Sequence, residues 1–272
     1  MIPRDFITEW RAHAPWVQDL QVEQDLIISR ALVELFSNPA LAESLAFRGG
    51  TALYKLHVRP VARYSEDIDL VQTRPEAIGA TLDAIRKALD PWLGTPQRKV
   101  KSGSAALIYR FSSEDAPPVP LRLKIEINSR EHFSVFALER ATFEVRSRWF
   151  GGQALIPTFV IDELLGTKLR ALYQRKKGRD LFDLALALAG ASADPARIVV
   201  AFQRYMAAED SHVTRAMFEQ NLHEKLTDPR FTADIAPLLA PGHGWDLEDA
   251  AKRVLDGIIT RLPGEPWRQG IR

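Results

Sequence analysis

Two aspartates stand inside a short apolar run, and this pattern is the strongest constraint on the fold. The segment from 66 to 72 reads EDIDLVQ, so Asp67 and Asp69 flank Ile68. Successive side chains of a β-strand point to opposite faces. A strand here places both carboxylates on one face and Ile68 and Leu70 on the other. We therefore expect a half-buried strand with a core on one side and a pair of acids on the other.

An acid pair of this kind has a chemical use. Two carboxylates so close repel one another unless a cation lies between them. Mg²⁺ takes hard oxygen ligands, and proteins usually hold it with one or two carboxylates together with substrate phosphates. Asp67 and Asp69 are therefore candidate magnesium ligands. The alternative is a solvated acid pair at a strand end, or one paired with Arg63.

A glycine turn precedes the acid pair. Gly49, Gly50 and Thr51 open a helix that we expect to run to His57. Backbone N–H groups at the start of a helix can hold a phosphate. A Gly-Gly-Thr sequence alone is a weak signal, and it gains weight from the acids that follow. The turn is the candidate phosphate-binding element.

The clearest strand in the sequence is PLRLKIEIN, residues 120–128. Its apolar and polar residues alternate, so Lys124 and Glu126 share the polar face. Glu126 is a possible third acid, because three acids on neighbouring strands suit the two-metal activation of a hydroxyl nucleophile. The alternatives are a solvent-facing acid or a structural partner of Lys124.

A cationic region lies at residues 162–183. Lys168 stands among apolar neighbours, where a lysine can reach a triphosphate as a point charge. Asp180 is expected to orient a basic residue or the nucleotide. The other cations of the region are Arg170, Arg175, Lys176, Lys177 and Arg179. For the two adjacent lysines, a helix dipole that favours cations at its end is a sufficient explanation.

Composition excludes several classes of protein. The chain has no cysteine, which excludes a disulfide framework and thiolate metal sites. Its formal net charge is +1, so any surface that binds nucleic acid must be a local cluster of positive charge. The charged N-terminal segment lacks the apolar run of a signal peptide, and no apolar stretch is long enough to span a bilayer. We expect a cytoplasmic protein without membrane association.

The periodicity predicts an α+β fold in two parts. The first, residues 1–155, is a mixed α/β half, and the second, 156–272, is helical. Predicted helices cover 16–37, a short turn from 39, 51–57, 75–93, 158–176, 179–190, 195–208, 212–225 and 247–262. Predicted strands cover 66–72, 105–112, 120–128 and 139–148. Thr158 is the expected cap of the first helix in the second half.

Three blocks in this order resemble the AbiEii-type nucleotidyltransferase toxins, also called the MenT type. The first block is RGGTAL at 48–53 with RYSEDIDL at 63–70. The second is KIEI at 124–127, and the third is KLRALYQRKKGRDLFDL at 168–184. The resemblance covers about residues 47 to 184, and the last part of the chain carries no motif of the family.

The resemblance implies a fold, a reaction and partners. The fold is a polymerase-β-like nucleotidyltransferase core followed by a helical domain that completes the active site. The reaction is a magnesium-dependent transfer of a nucleoside monophosphate from an NTP, with release of pyrophosphate. Several family members modify the 3′ acceptor end of tRNA and block translation. The usual partner is a cognate antitoxin, often a winged-helix DNA-binding protein.

The resemblance also assigns roles residue by residue. It implies that Asp67 and Asp69 bind Mg²⁺ and that the turn at 49–51 contacts the triphosphate. It further implies that Lys168 neutralises the phosphates and that Asp180 completes the site. Arg179 belongs to the same block and is a candidate nucleotide-binding residue.

Ser65 lies on the same predicted strand face as the acid pair and is a further candidate for nucleotide binding. A phosphate on Ser65 would set extra negative charge against the acids and the NTP, which suggests a control point. Wild-type activity of Ser65→Asp would count against this hypothesis.

The acceptor is open at this stage. A tRNA acceptor requires cationic surface, which the stretches 170–179 and 98–101 can supply. A protein hydroxyl or a small molecule would use the same nucleotide chemistry. A catalytically silent nucleotide-binding module is the third reading, although retention of the motif acids and of Lys168 argues against it.

Overall fold

The protein was analysed as a computed structural model that describes residues 2–190 and 193–268. The chain divides into two compact units. The first unit runs to Phe159 and includes Ala240–Gly242, and the second comprises Val160–Leu239 and the residues from His243 onward. Residues 191–192 and 269–272 of the predicted helical domain lie outside the described residues.

The first unit is built on one mixed seven-stranded sheet. Its strands are β1 Leu45–Arg48, β2 Asp67–Gln72, β3 Gln97–Lys101, β4 Ser104–Ser112, β5 Pro120–Asn128, β6 Glu139–Arg146 and β7 Gly151–Thr158. They lie in the order β3-β4-β5-β2-β1-β7-β6. The pairs β2–β5 and β1–β7 are parallel, and the other pairs are antiparallel.

The first unit also contains helices. They are α1 Arg4–Trp10, α2 Asp19–Phe36, α3 Pro39–Ser44, α4 Gly49–Ala52, which continues as a π-helical turn Leu53–His57, and α5 Ile78–Leu93. The long helices α2 and α5 pack against the sheet. Ile68, Leu70 and Ile125 are buried in the core. Because β2 and β5 alternate, this burial leaves the acids of β2 on the opposite face.

The second unit is helical. Its helices are α6 Ile161–Gln174, α7 Gly178–Ala189, α8 Pro195–Ala207, α9 Arg215–Leu226, α10 Pro229–Thr232 and α11 Leu247–Gly257. Side chains of Asp194, Thr214 and Asp246 accept hydrogen bonds from backbone N–H groups at the starts of α8, α9 and α11. These short polar residues therefore set where the helices begin. Within the described residues, no helix combines the length and apolar composition needed to cross a bilayer.

The predicted α+β class, a mixed sheet followed by helices, is confirmed. Five of these elements lacked a sequence signal: α1, β1, β3, β7 and α10. β1 has only four residues, and all five residues of β3 are exposed, so neither shows an apolar alternation. β7 begins with two glycines and contains Pro157, which favour a loop.

The join between the two halves differs from the sequence prediction. The predicted boundary after residue 155 falls inside β7, whereas the two units divide after Phe159. Thr158 was expected to cap a helix, and this expectation was wrong. Thr158 is the last residue of β7, its hydroxyl donates to the carbonyl of Phe47, and α6 begins at Ile161.

Candidate active site

The acid pair lies on β2, as the alternation predicted. Asp67 and Asp69 are both partly buried, and Ile68 between them is fully buried. Spaced two residues apart on a strand, the two carboxylates occupy the same face. The buried neighbour fixes the strand against the core and so limits the movement of the acids.

The electrostatic environment of Asp67 is unfavourable for its charge. Burial raises the pKa of the Asp67 carboxyl to about 6, and the negative charges of Asp69 and Glu66 add to this effect. The cations Lys124 and Arg122 oppose the rise but do not cancel it. A cation bound beside the Asp67 carboxylate would stabilise its charged form.

The neighbouring strand places a third acid beside the pair. In the parallel β2–β5 register, Asp67 lies opposite Lys124 and Asp69 lies opposite Glu126. Glu126 is hydrogen-bonded to Lys124 on its own strand. Burial alone would lower the pKa of Lys124, but the hydrogen bond to Glu126 and the surrounding carboxylates raise it. This hydrogen bond fits the alternative interpretation of Glu126 as a structural partner of Lys124.

Among residues 2–190 and 193–268, no three His, Cys, Asp or Glu side chains are arranged to hold a metal ion. Asp67 and Asp69 offer two carboxylates on one face of β2. A site of this kind fits Mg²⁺, which commonly completes its octahedral shell with water and substrate phosphates.

The glycine turn packs directly against the acid pair. Gly49 has a φ of +83°, a backbone conformation that favours glycine. A Cβ atom at this position would lie 2.2 Å from Asp69 Oδ2. Gly49 is therefore required both for the turn and for the close approach of Asp69.

The next two residues connect the turn to β2. A Cβ at Gly50 would lie 2.7 Å from Arg63 Nη2 and 3.1 Å from Ser65 Oγ. Thr51 is buried, and its hydroxyl lies 2.9 Å from Ser65 Oγ and is also hydrogen-bonded to the carbonyl of Asp67. The Thr51 hydroxyl thus binds the turn to the acid strand. Contact of residues 49–51 with a triphosphate stays a prediction, and backbone N–H groups are the donors suited to it.

Sequence reasoning did not identify the anchor of the helical turn that follows. Lys55, on the π-helical turn, lies 2.7 Å from Asp25 Oδ1 and 3.0 Å from Ser29 Oγ, both on α2. The indole N–H groups of Trp10 and Trp16 donate to the same Asp25 carboxylate. This cluster fixes the segment that carries the glycine turn. The available signal was a lysine set among apolar residues at 53–56.

In the second unit, the structure brings Lys168 and Asp180 together. Lys168 Nζ lies 3.2 Å from Asp180 Oδ1 and 2.9 Å from Asp183 Oδ2, and all three side chains are buried. Arg175 donates twice to Asp180, at 2.7 and 2.9 Å. Burial alone would raise the pKa of Asp180, but Lys168 and Arg175 hold it below its ordinary value. This is a buried cluster in which positive charges accompany both acids.

The other cations of this region are paired as well. Arg170 contacts Glu209, Lys176 contacts Asp228, and Lys177 and Arg179 contact Asp234. The acids come from later parts of the same unit. The stretch 170–179, which is strongly cationic in the sequence, is therefore balanced by carboxylates in the folded chain. Arg179 contacts Asp234 rather than the cluster around Asp180.

Lys225 is a second residue that sequence reasoning missed. Its ammonium group donates to the carbonyls of Leu172 and Tyr173, at the C-terminal end of α6. Burial lowers the pKa of Lys225 to about 8. It stabilises the end of the helix that carries Lys168. No local signal marks it, because its partners lie more than fifty positions earlier in the chain.

A comparison with known protein families identifies the family of this chain. The family model described as nucleotidyl transferase AbiEii toxin, Type IV TA system, matches residues 30–253. The chain belongs to the AbiEii nucleotidyltransferase toxin family. The resemblance inferred from the three blocks is thereby confirmed, and the protein is a nucleotidyltransferase. A comparison with curated proteins gave no match.

Solved structures share the fold of this AbiEii-family chain. MenT4, a nucleotidyltransferase toxin from Mycobacterium tuberculosis H37Rv, superposes with a TM-score of 0.70 at 17% identity, covering 97% of this chain and 91% of that one. A putative nucleotidyltransferase from H. pylori superposes with a TM-score of 0.55 at 18% identity, covering 88% of this chain and 93% of that one. At such identities the likeness concerns the fold alone.

Proposed function

We propose that this AbiEii-family enzyme transfers a nucleoside monophosphate from an NTP to the 3′ end of tRNA and thereby blocks translation. The observation that carries the proposal is the acid pair of β2 in direct contact with the glycine turn, with Gly49 against Asp69. A phosphate-binding turn beside two carboxylates is the arrangement that nucleotidyl transfer requires.

Asp67 and Asp69 are the residues that would hold Mg²⁺. Their oxygens are the hard ligands that this ion prefers, and a bound cation would stabilise the partly buried charge of Asp67, whose pKa is raised by burial and by the neighbouring acids. When bound, the ion supplies positive charge that offsets the charge of the triphosphate.

The residues of the chain then have distinct roles. Backbone N–H groups of Gly49, Gly50 and Thr51 orient the phosphates. The RNA hydroxyl oxygen forms a bond to the α-phosphorus, the bond to pyrophosphate breaks, and the hydroxyl proton passes to a carboxylate of the acid face. Glu126, next to Asp69 in the register, adds a third carboxylate to that face. Ser65 contacts Thr51 and holds the turn in place.

Lys168 and Asp180 act indirectly in this proposal. Their buried contacts with one another, with Asp183 and with Arg175 give the second unit a fixed geometry. The proposed contribution of Lys168 is positioning, because its ammonium group already faces two carboxylates. A direct contact of Lys168 with the triphosphate is the competing prediction.

The family is a toxin family of a toxin–antitoxin system, so an antitoxin and nucleotides are its partners. We place the reaction in the cytoplasm, where NTPs and tRNA are found. The antitoxin of this chain is expected to be a separate protein that prevents the transfer.

The decisive experiment is incubation of the purified protein with total tRNA, Mg²⁺ and each α-³²P-labelled NTP in turn. The Asp69→Asn variant is the matched control, because it removes one charge with almost no change in volume. Label in tRNA with the wild type alone supports the proposal and identifies the nucleotide. Label in protein or in a small molecule instead would show that the acceptor is not tRNA. If no NTP gives either label transfer or release of pyrophosphate, the protein is a silent nucleotide-binding module.

A further inference from the structure

The β3–β4 hairpin of the first unit is cationic. Residues 97–112 contain Arg98, Lys99, Lys101 and Arg110 and no acidic residue, in a chain whose formal net charge is +1. β3 is an edge strand of the sheet, and all its residues are exposed. Within the part of the chain that the structure describes, Lys99 and Lys101 have no ion-pair partner, in contrast to the cations at 170–179.

The register of the sheet shows which face these lysines occupy. Lys99 lies opposite Ala106 on β4, Ala106 lies opposite Glu126 on β5, and Glu126 lies opposite Asp69 on β2. Residues directly opposite one another across strands share a face. Lys99 is therefore on the face of the acid pair, in the same lateral row as Asp69.

Lys101 belongs to the next row of the same face. It lies opposite Ser104, which lies opposite Asn128 on β5. Arg98 lies opposite Leu107, whose side chain is buried in the core, so Arg98 is on the other face of the same strand. One edge strand thus presents two cations on the acid face and one on the helix-covered face.

Small residues of β4 lie between the acids and the lysines. Ala106 and Ser104, the residues of β4 in these two rows, are small and partly exposed. Three strand spacings separate Lys99 from Asp69, which corresponds to about 14 Å. A separation of this size suits the backbone of a nucleic acid strand whose end lies at the acids.

We propose that Lys99 and Lys101 bind the phosphates of the terminal nucleotides of the acceptor RNA and direct its 3′ end toward Asp69. This inference rests on the proposed function, and it names the acceptor surface of the same site. The cations have no neighbouring aromatic residue on β3 or on the facing residues of β4 that could stack a base, so the contact is to phosphate and is independent of sequence.

Edge strands also carry lysines for another reason, which is to prevent pairing with other chains. That explanation applies equally to Arg98, Lys99 and Lys101, because all three interrupt the same edge. The acceptor proposal treats them differently, since only two lie on the acid face. The comparison between the faces therefore separates the two explanations.

The test compares Lys99→Ala and Lys101→Ala, singly and combined, with Arg98→Ala. Arg98→Ala removes one positive charge from the same strand and is the matched control for each single variant. Binding of a 5′-fluorescein single-stranded RNA with a free 3′-hydroxyl, and of total tRNA, is measured without NTP over a series of salt concentrations. Thermal unfolding of each variant checks that the fold is intact.

For the combined variant we expect about tenfold weaker RNA binding at low salt and a salt slope smaller by about 1.4, since each phosphate contact on a single strand contributes about 0.7. In transfer assays, the KM for RNA rises while kcat and the KM for NTP stay unchanged. Arg98→Ala stays within twofold of the wild type in every measurement.

Several results would overturn the inference. Equally weakened RNA binding in Arg98→Ala would show a general charge effect. Unchanged RNA binding in all variants would show that these cations only prevent pairing of the edge strand with other chains. Absence of RNA binding by the wild type would also overturn it. The proposed function can fail separately. If RNA binding depends on Lys99 and Lys101 and not on Arg98, but the wild type labels no RNA, then the RNA-binding surface is supported and transfer to RNA is contradicted.

Discussion

Each unit of this protein holds a pair of acids close to cations, and the two pairs have opposite electrostatic properties. In the first unit, burial and the charge of Asp69 raise the pKa of Asp67 to about 6. In the second, Lys168 and Arg175 hold the pKa of Asp180 below its ordinary value despite complete burial. Asp67 therefore lies in an environment that disfavours its charge, whereas cations within the fold stabilise the charge of Asp180. We therefore propose that the first pair takes part in the chemistry and that the second contributes to stability.

The largest expected effect is on activity, from Asp67→Asn. Loss of one of the two carboxylates that would hold Mg²⁺ should reduce nucleotidyl transfer by about 1000-fold or more. The free energy of unfolding at neutral pH should not fall, because the wild-type carboxylate is held in an unfavourable environment. The exposed Asp83→Asn on α5 is the control, and transfer of labelled NTP is the measurement. Retention of activity by Asp67→Asn would remove the basis of the comparison.

The second effect is on stability, from Asp180→Ala. Removal of this acid leaves Lys168 buried with one partner fewer, and the free energy of unfolding should fall by about 3 kcal/mol. Urea denaturation followed by circular dichroism measures it. Asp249→Ala breaks the exposed pair with Arg253 and should change stability by less than about 0.5 kcal/mol. A variant at position 180 that is as stable as the wild type but inactive would assign both acid pairs to the chemistry.

A smaller effect is expected at the glycine turn. Gly49→Ala introduces a Cβ 2.2 Å from Asp69 Oδ2 at a φ of +83°, so it should both strain the turn and displace the acid. Gly94→Ala has a similar φ, +77°, but no atom within 4 Å of the new Cβ. Both variants should lose about 1 kcal/mol of stability from backbone strain. Only Gly49→Ala should lose activity, and equal activity of the two variants would show that the contact with Asp69 is unimportant.

The smallest effect concerns pH. Because the folded pKa of Asp67, about 6, exceeds the ordinary value of 3.8, the folded state binds more protons between these values. This group therefore makes the metal-free protein less stable as the pH rises from about 4 to about 6. Unfolding measured in a chelator at several pH values should show this trend in the wild type and lose it in Asp67→Asn. An identical pH dependence in both proteins would contradict the raised pKa.

The acid face could be predicted because its signals are local. The alternation of β2 and β5 gave the faces of Asp67, Asp69 and Glu126 from the sequence alone. The second unit could not be predicted in this way. Lys168 and Asp180 lie on different helices, and the sequence does not show how α6 and α7 pack. The cations at 170–179 looked unbalanced because their partners, such as Glu209 and Asp234, come from later segments.

The missed strands have a related explanation. β1 has only four residues, and β7 begins with two glycines and contains Pro157, so neither gives a clear strand pattern in the sequence. β3 is exposed on both faces and shows only polar residues with one valine. Its location beside β4 is what assigns Lys99 to the acid face, and a cluster of basic residues in a sequence contains no information about faces.

The contact between Gly49 and Asp69 has a genetic consequence. Every missense change of a glycine codon adds a side chain, and at position 49 that side chain would collide with a carboxylate of the acid pair. The codon therefore admits no mild replacement. In a population of cells that expresses the toxin without its antitoxin, survivors should accumulate substitutions at this codon as readily as at the two aspartate codons.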